Sequence, residues 1–199
     1  MTITNGYCTL PEFKAYITAR GQTLATDATD DSVIEALIEK VSRDIDQESQ
    51  RTYYARTETH YFDVPEDSQT ELELGDDLLT VTTLTNGDDT VITSSYYTLY
   101  PLNAGRYRTL KLKQSSGYIW LSDSNGDTDG VISIAGTWGF YAIVPDNING
   151  LCKAVVRKEY MRYGPGESGV APVTAAGVVI TEHSRQMIRE AVRIDHKWL

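Results

Sequence analysis

Between Asp30 and Arg51, apolar residues recur at helical spacing. Val33, Ile34, Leu37, Ile38, Val41 and Ile45 share one side, and Glu35, Glu39, Lys40, Arg43 and Asp44 fill the other. Ser32 with Glu35 three positions on reads as a capping box, and Asp30 and Asp31 place negative charge at the positive end of the helix dipole. A helix this amphipathic cannot bury its stripe alone, so partner helices are predicted. Thr9-Leu-Pro-Glu12 is a second capping box; Leu10, Phe13, Tyr16 and Ile17 give a short helix its stripe, and Gly21 its C-cap. Residues 22–29 lack periodicity and read as a loop. Asp146 reads as the N-cap of a third helix, with Ile148, Leu151 and Val155 beside Cys152, Val156 and Tyr160, stopped by Gly164-Pro165-Gly166. A connector rich in Gly, Pro, Ala and Val follows over 165–180. The last helix starts near Thr181 or Ser184, with Met187, Ile188, Ala191, Ile194 and Trp198 apolar.

The middle of the chain has the period of strands. Tyr53 to Val64 and Thr70 to Leu74 alternate, and Leu78 to Thr85 is a β-branched run closed by Asn86-Gly87, a hairpin signal beyond which Val91-Ile92 resumes. Tyr96 to Tyr100, Tyr107 to Lys113, Tyr118 to Ser122 and Val131 to Ala135 continue the series. About seven antiparallel strands between 56 and 140 are predicted. The expected class is α+β: a discontinuous body of about four helices, 1–55 and 141–199, carrying an inserted antiparallel β-sandwich or barrel-like domain, 56–140.

Composition narrows the classes. A chain of 199 residues, 41% hydrophobic and 23% charged, is that of a soluble globular protein needing no metal or disulfide for stability. Cys8 and Cys152 lie far apart in sequence and match no metal-ligand spacing, so two free thiols in a reducing compartment are expected. Met1 to Leu10 has no charged n-region and no apolar core, and no membrane span is predicted. The net charge is −10, and residues 1–145 hold 10 Lys+Arg against 22 Asp+Glu while residues 146–199 hold 8 against 6. A chain this acidic is a poor general nucleic-acid binder, because such binding is built on phosphate neutralisation.

No catalytic motif stands out. His60, His183 and His196 have no metal-ligand neighbours at useful spacing and read as surface residues. Nucleophile-elbow, phosphate-cradling and dinucleotide patterns are absent from the sequence. Asp123-x-Asn125-x-Asp127-x-Asp129-Gly130 alternates oxygen ligands like a calcium loop, but Thr128 stands where the glycine belongs and no glutamate follows at the twelfth position. A solvated hairpin loop is the expectation. No cofactor and no metal are predicted.

The most pointed feature is a basic ridge on the last helix. Arg185, Arg189, Arg193 and Lys197 repeat every four residues on an otherwise acidic chain. Such a ridge is either a solvated face balanced by Glu182, Glu190 and Asp195 or a docking surface for an acidic partner, with Trp198 at its end. Thirteen tyrosines and three tryptophans add weakly to an interaction reading.

Four segments together resemble the head–tail connector (head-completion adaptor) proteins of long-tailed bacteriophages. They are Tyr7-Cys-Thr-Leu-Pro-Glu-Phe-Lys-Ala-Tyr16; Asp30 to Asp46 with Gln50-Arg51; Leu78 to Leu84 with Tyr96-Tyr-Thr-Leu-Tyr-Pro-Leu102; and Gly136-Thr-Trp-Gly-Phe140 with Val144-Pro-Asp-Asn-Ile148. The resemblance implies a non-enzymatic virion protein, assembled in the host cytoplasm, that forms a ring beneath the portal, usually of twelve copies. Such a ring extends the channel for genome DNA without binding it specifically and meets an adjacent neck or tail-completion protein. In that family the C-terminal segment tends to reach toward the portal, which would give the ridge its partner. The competing expectations are a tail-completion protein of the same neck and a carbohydrate-binding or glycan-hydrolysing β module. The last would need exposed tryptophans along a groove beside facing carboxylates.

Overall fold

A computed structural model describes residues 3–21, 30–163 and 181–195, the last three without their side chains. The chain divides into two compact units, residues 1–53 with 144–199, and residues 54–143. Among the described residues the first holds four helices and the second one antiparallel sheet, so the class is α+β.

In the helical unit, α1 spans Leu10–Thr18, α2 Asp31–Ser49, α3 Asp146–Tyr163 and α4 Glu182–Asp195. The α1 capping box forms: the Glu12 N–H donates to Thr9 Oγ1, and the Thr9 N–H donates to the Glu12 carboxylate at 2.7 Å. The box expected at Ser32 and Glu35 does not cap α2, because the helix begins earlier, with Asp30 as N-cap. Asp30 makes no capping bond and instead accepts the Tyr160 hydroxyl from α3 at 2.7 Å. Asp146 is likewise the first residue of α3 rather than its cap. Helix α2 packs against the other three, and Ile34, Leu37, Ile38, Val41 and Ile45 are buried as the spacing requires. Each such side chain contributes about 1.5–3 kcal/mol. Asp44, expected on the polar side, is buried as well, because three surrounding helices leave α2 little free circumference; its Oδ1 pairs with Lys40 at 2.7 Å.

The β unit has five strands: β1 Arg56–Phe62, β2 Glu71–Thr85, β3 Tyr97–Tyr100, β4 Tyr107–Leu112 and β5 Ile132–Trp138. Their order is β1-β5-β2-β4-β3, every neighbour antiparallel, and the sheet is not closed into a barrel. Two of the seven expected strands disappear for identifiable reasons. Residues 70–74 and 78–85 belong to one long strand, β2, whose register slips between Glu73 and Leu78. Its first part pairs with β4 and its second with β5. Residues 118–122 run outside the sheet, held by Trp120 N–H to Gln69 O and by Asn86, whose side chain donates to Ile119 O and accepts from Leu121 N–H. The Asn86-Gly87 turn forms, with Asn86 N–H bonded to Thr90 O, but the glycine answers a different need from the one its hairpin signal implied. A Cβ at Gly87 would lie 2.0 Å from Leu121 O, so the residue admits a neighbouring backbone.

The β core joins Leu72, Leu78, Leu84, Leu110, Ile132, Ile134 and Trp138 with Trp120 from the covering segment. Strands β1 and β5 pair from Arg56↔Trp138 to Phe62↔Ile132, so the chain enters and leaves this unit on adjacent strands.

Candidate docking surface

The start of α4 is fixed by a buried carboxylate. Thr181 precedes the helix, and its Oγ1 accepts from the Ser184 N–H at 3.3 Å, a capping bond. Glu159 of α3, fully buried, sits against the same turn. Its Oε1 accepts the Thr181 hydroxyl at 2.7 Å, the Thr181 N–H at 3.3 Å and the Ser184 hydroxyl; its Oε2 accepts Arg162 at 2.8 Å. Burial alone would raise the carboxyl pKa, but the bonds from Ser184, Thr181 and Arg162 outweigh it and hold the group below the ordinary glutamate range. Negative charge at a helix N-terminus adds to that preference. Glu159 was missed in the sequence, although its spacing after Cys152, Val155 and Val156 puts a carboxylate on the buried row of α3.

The buried row of α4 is Ser184, Ile188 and Val192, which places Arg185 and Arg189 one step around the helix from the packed side. Arg189 therefore meets α2. Its Nε and Nη2 donate to the two oxygens of Glu48 at 2.6 and 3.1 Å, and its Nη1 donates to Glu182 at 2.8 Å. These bonds hold the guanidinium pKa above its ordinary value and, with the nearby Arg185 charge, hold the Glu48 carboxyl below its own. The ridge thus has an inner edge bonded to α2, and half of the Arg189 side chain remains in solvent. Arg193 lies on α4, its side chain outside the described part, and Lys197 and Trp198 lie outside the described residues.

Charge is divided between the units. Residues 54–143 hold 5 Lys+Arg and 13 Asp+Glu, a net −8; the remainder of −10 leaves −2 for the helical unit. In the β unit an open groove of about 1060 Å³ runs past Asp63, Glu66, Asp67, Glu71, Glu73 and Asp129. Three of these carboxylates have partners: Glu71 binds Lys111, Asp63 accepts the Gly130 N–H at 2.6 Å, and Asp129 accepts the Thr128 hydroxyl at 3.1 Å.

The remaining candidates resolve into local structure. Asp123 Oδ1 accepts the backbone N–H of Asn125 and of Asp127, both at 2.8 Å. These bonds, Asp127 first, hold its carboxyl below the ordinary range and make Asp123 the pivot of a hydrogen-bonded turn. Among the described residues no group of three or more His, Cys, Asp or Glu is placed to hold a metal. His60 is half-buried rather than a free surface residue, stacked on the Trp138 ring at 3.9 Å with Nε2 against Glu58 at 2.6 Å. His183 is exposed, and His196 lies outside the described residues. Trp120 and Trp138 are core residues, so neither offers the exposed platform that sugar binding requires. No helix among the described residues is long and apolar enough to cross a membrane.

No protein-family model matches the chain, and no curated protein sequence does. Solved structures do match. One is a chain in the neck of an empty GTA particle computed with C6 symmetry: TM-score 0.57, 12% identity, covering 96% of this chain and 92% of that one. Another is from the neck of a native GTA particle computed with C12 symmetry: TM-score 0.52, 14% identity, covering 96% and 91%. At such identities the likeness is one of fold, and it runs through both the helical and the β unit.

Proposed function

We propose that this chain is a structural, non-catalytic protein of a phage-like neck, which assembles as a ring beneath the portal, extends the DNA channel and joins head to tail. The observation that carries this reading is the nearly end-to-end likeness in fold to chains from particle necks with sixfold and twelvefold symmetry. A ring requires a heterologous contact, one surface of each copy meeting a different surface of the next, and closure at a fixed number. The acidity of the β unit suits a wall past which DNA slides without adhering. We assign portal docking to the ridge of α4 and the residues after it, Arg185, Arg193, Lys197 and Trp198, with Arg189 contributing only the part of its side chain left in solvent by Glu48 and Glu182; guanidinium groups there can take carboxylates bidentately. The other axial surface of the ring then meets the next neck or tail-completion protein.

Imaging purified protein mixed with portal tests this reading. A ring on the portal is expected; portal left bare, with no ring in any preparation, overturns it. The ridge has its own test, in which Arg189 is retained because it holds α4 to α2. Arg185→Glu with Lys197→Glu should weaken portal binding at least tenfold while leaving the circular dichroism unchanged. Undiminished binding would return the ridge to a solvated face.

A further inference from the structure

Cys8 and Cys152 are 144 residues apart in sequence, yet their sulfurs lie 3.7 Å from one another, both buried. Cys8 directly precedes the cap of α1, and Cys152 is in the second turn of α3. The backbone around Cys8 is held on two sides: the Tyr7 N–H donates to Ser42 Oγ on α2 at 2.9 Å, and Asn149 Nδ2 on α3 donates to Tyr7 O at 2.9 Å. The Tyr7 hydroxyl donates to Asp46 and accepts the Tyr53 N–H at 2.8 Å. A disulfide needs its sulfurs at about 2.0 Å, an approach that side-chain rotation supplies when the two backbones already face each other.

We infer that Cys8 and Cys152 are a latent disulfide, which closes when the dithiol protein meets a low-molecular-weight disulfide oxidant and ties the segment ahead of α1 to α3. The two thiols give up two protons and two electrons, the sulfur–sulfur bond forms, and one glutathione disulfide becomes two glutathiones through a mixed-disulfide intermediate. The closed loop takes in α1, α2 and the whole β unit, so the bond restricts the unfolded chain strongly. Contact with the Cys152 sulfur, then burial, hold the Cys8 thiol well above its usual pKa. The dithiol is therefore slow to react, and oxidation should quicken as pH rises. The inference is independent of the neck reading.

The test is intact-mass and peptide mapping of the full chain after incubation with glutathione disulfide, in two arms: folded protein, and reduced protein refolded in the oxidant. The expected product in both is a monomer lighter by two hydrogens, with one Cys8–Cys152 cross-linked peptide. Its Tm should be higher than that of the reduced protein by roughly 5–10 °C, and Cys8→Ser and Cys152→Ser should each abolish the shift. Two thiols still open to alkylation in both arms, glutathione adducts alone, or a cross-linked product that has lost native circular dichroism would overturn it.

Discussion

Glu159 shows what a single buried charge does in this fold. Its depressed carboxyl pKa means that it stabilises the folded state fully above the unfolded glutamate value of about 4.3. That contribution is lost as pH falls through the lower folded value, since protonation then favours the unfolded chain. Glu159→Gln should destabilise the protein by about 1.5–3 kcal/mol at neutral pH, since an amide returns only part of the bonding a carboxylate gives to Thr181, Ser184 and Arg162. Urea titrations from pH 6 to pH 2 are the check: the wild type should lose this increment on the acid side, and the variant should have a flatter profile. An identical pH dependence would mean that the carboxylate is not ionised where it lies. Single residues were only partly legible in the sequence. Thr9 and Glu12 announced their cap because both partners lie within one turn. Glu159, Asp44 and the Cys8–Cys152 approach depend on which helices surround α2 and α3, and that is a tertiary fact.

At the scale of elements, periodicity located the helices because amphipathic stripes persist through several turns. Strand number was harder to read, since alternation continues through a register slip and through extended segments that never join a ladder. Residues 70–85 therefore counted as two strands, and 118–122, tied down by Asn86 and Gln69, counted as one. The central pairing of β2 with β5 depends on Gly136, where a Cβ would lie 2.2 Å from the Thr80 carbonyl oxygen and 3.3 Å from Leu78. Gly136→Ala should therefore push these strands apart and cost about 1–3 kcal/mol, an overpacking penalty, read as a lower midpoint in chemical denaturation. An unchanged midpoint would show that β2 can move aside. On α4 the four-residue spacing of arginines was plain, but whether the ridge faced water or a neighbour depended on the buried row beside it. Ser184, Ile188 and Val192 turn Arg189 toward Glu48.

For the whole molecule, the sequence conveyed a helical body interrupted by strands, because the change of period is visible on both sides of the middle segment. The β unit has a continuous core of its own, including Leu78, Leu110, Ile134 and Trp138. Residues 54–143 expressed alone should consequently fold, with cooperative thermal loss of a near-ultraviolet band from the packed Trp138. A chain without that band would show that the strands need the helices to assemble. The pairing of Arg56 with Trp138 brings the two ends of this unit together on neighbouring strands. The β unit thus starts and finishes at neighbouring backbone positions rather than at two distant ones. Any foreign polypeptide whose termini are a strand's width apart could be grafted there, giving a scaffold for cargo display that leaves the four-helix packing untouched.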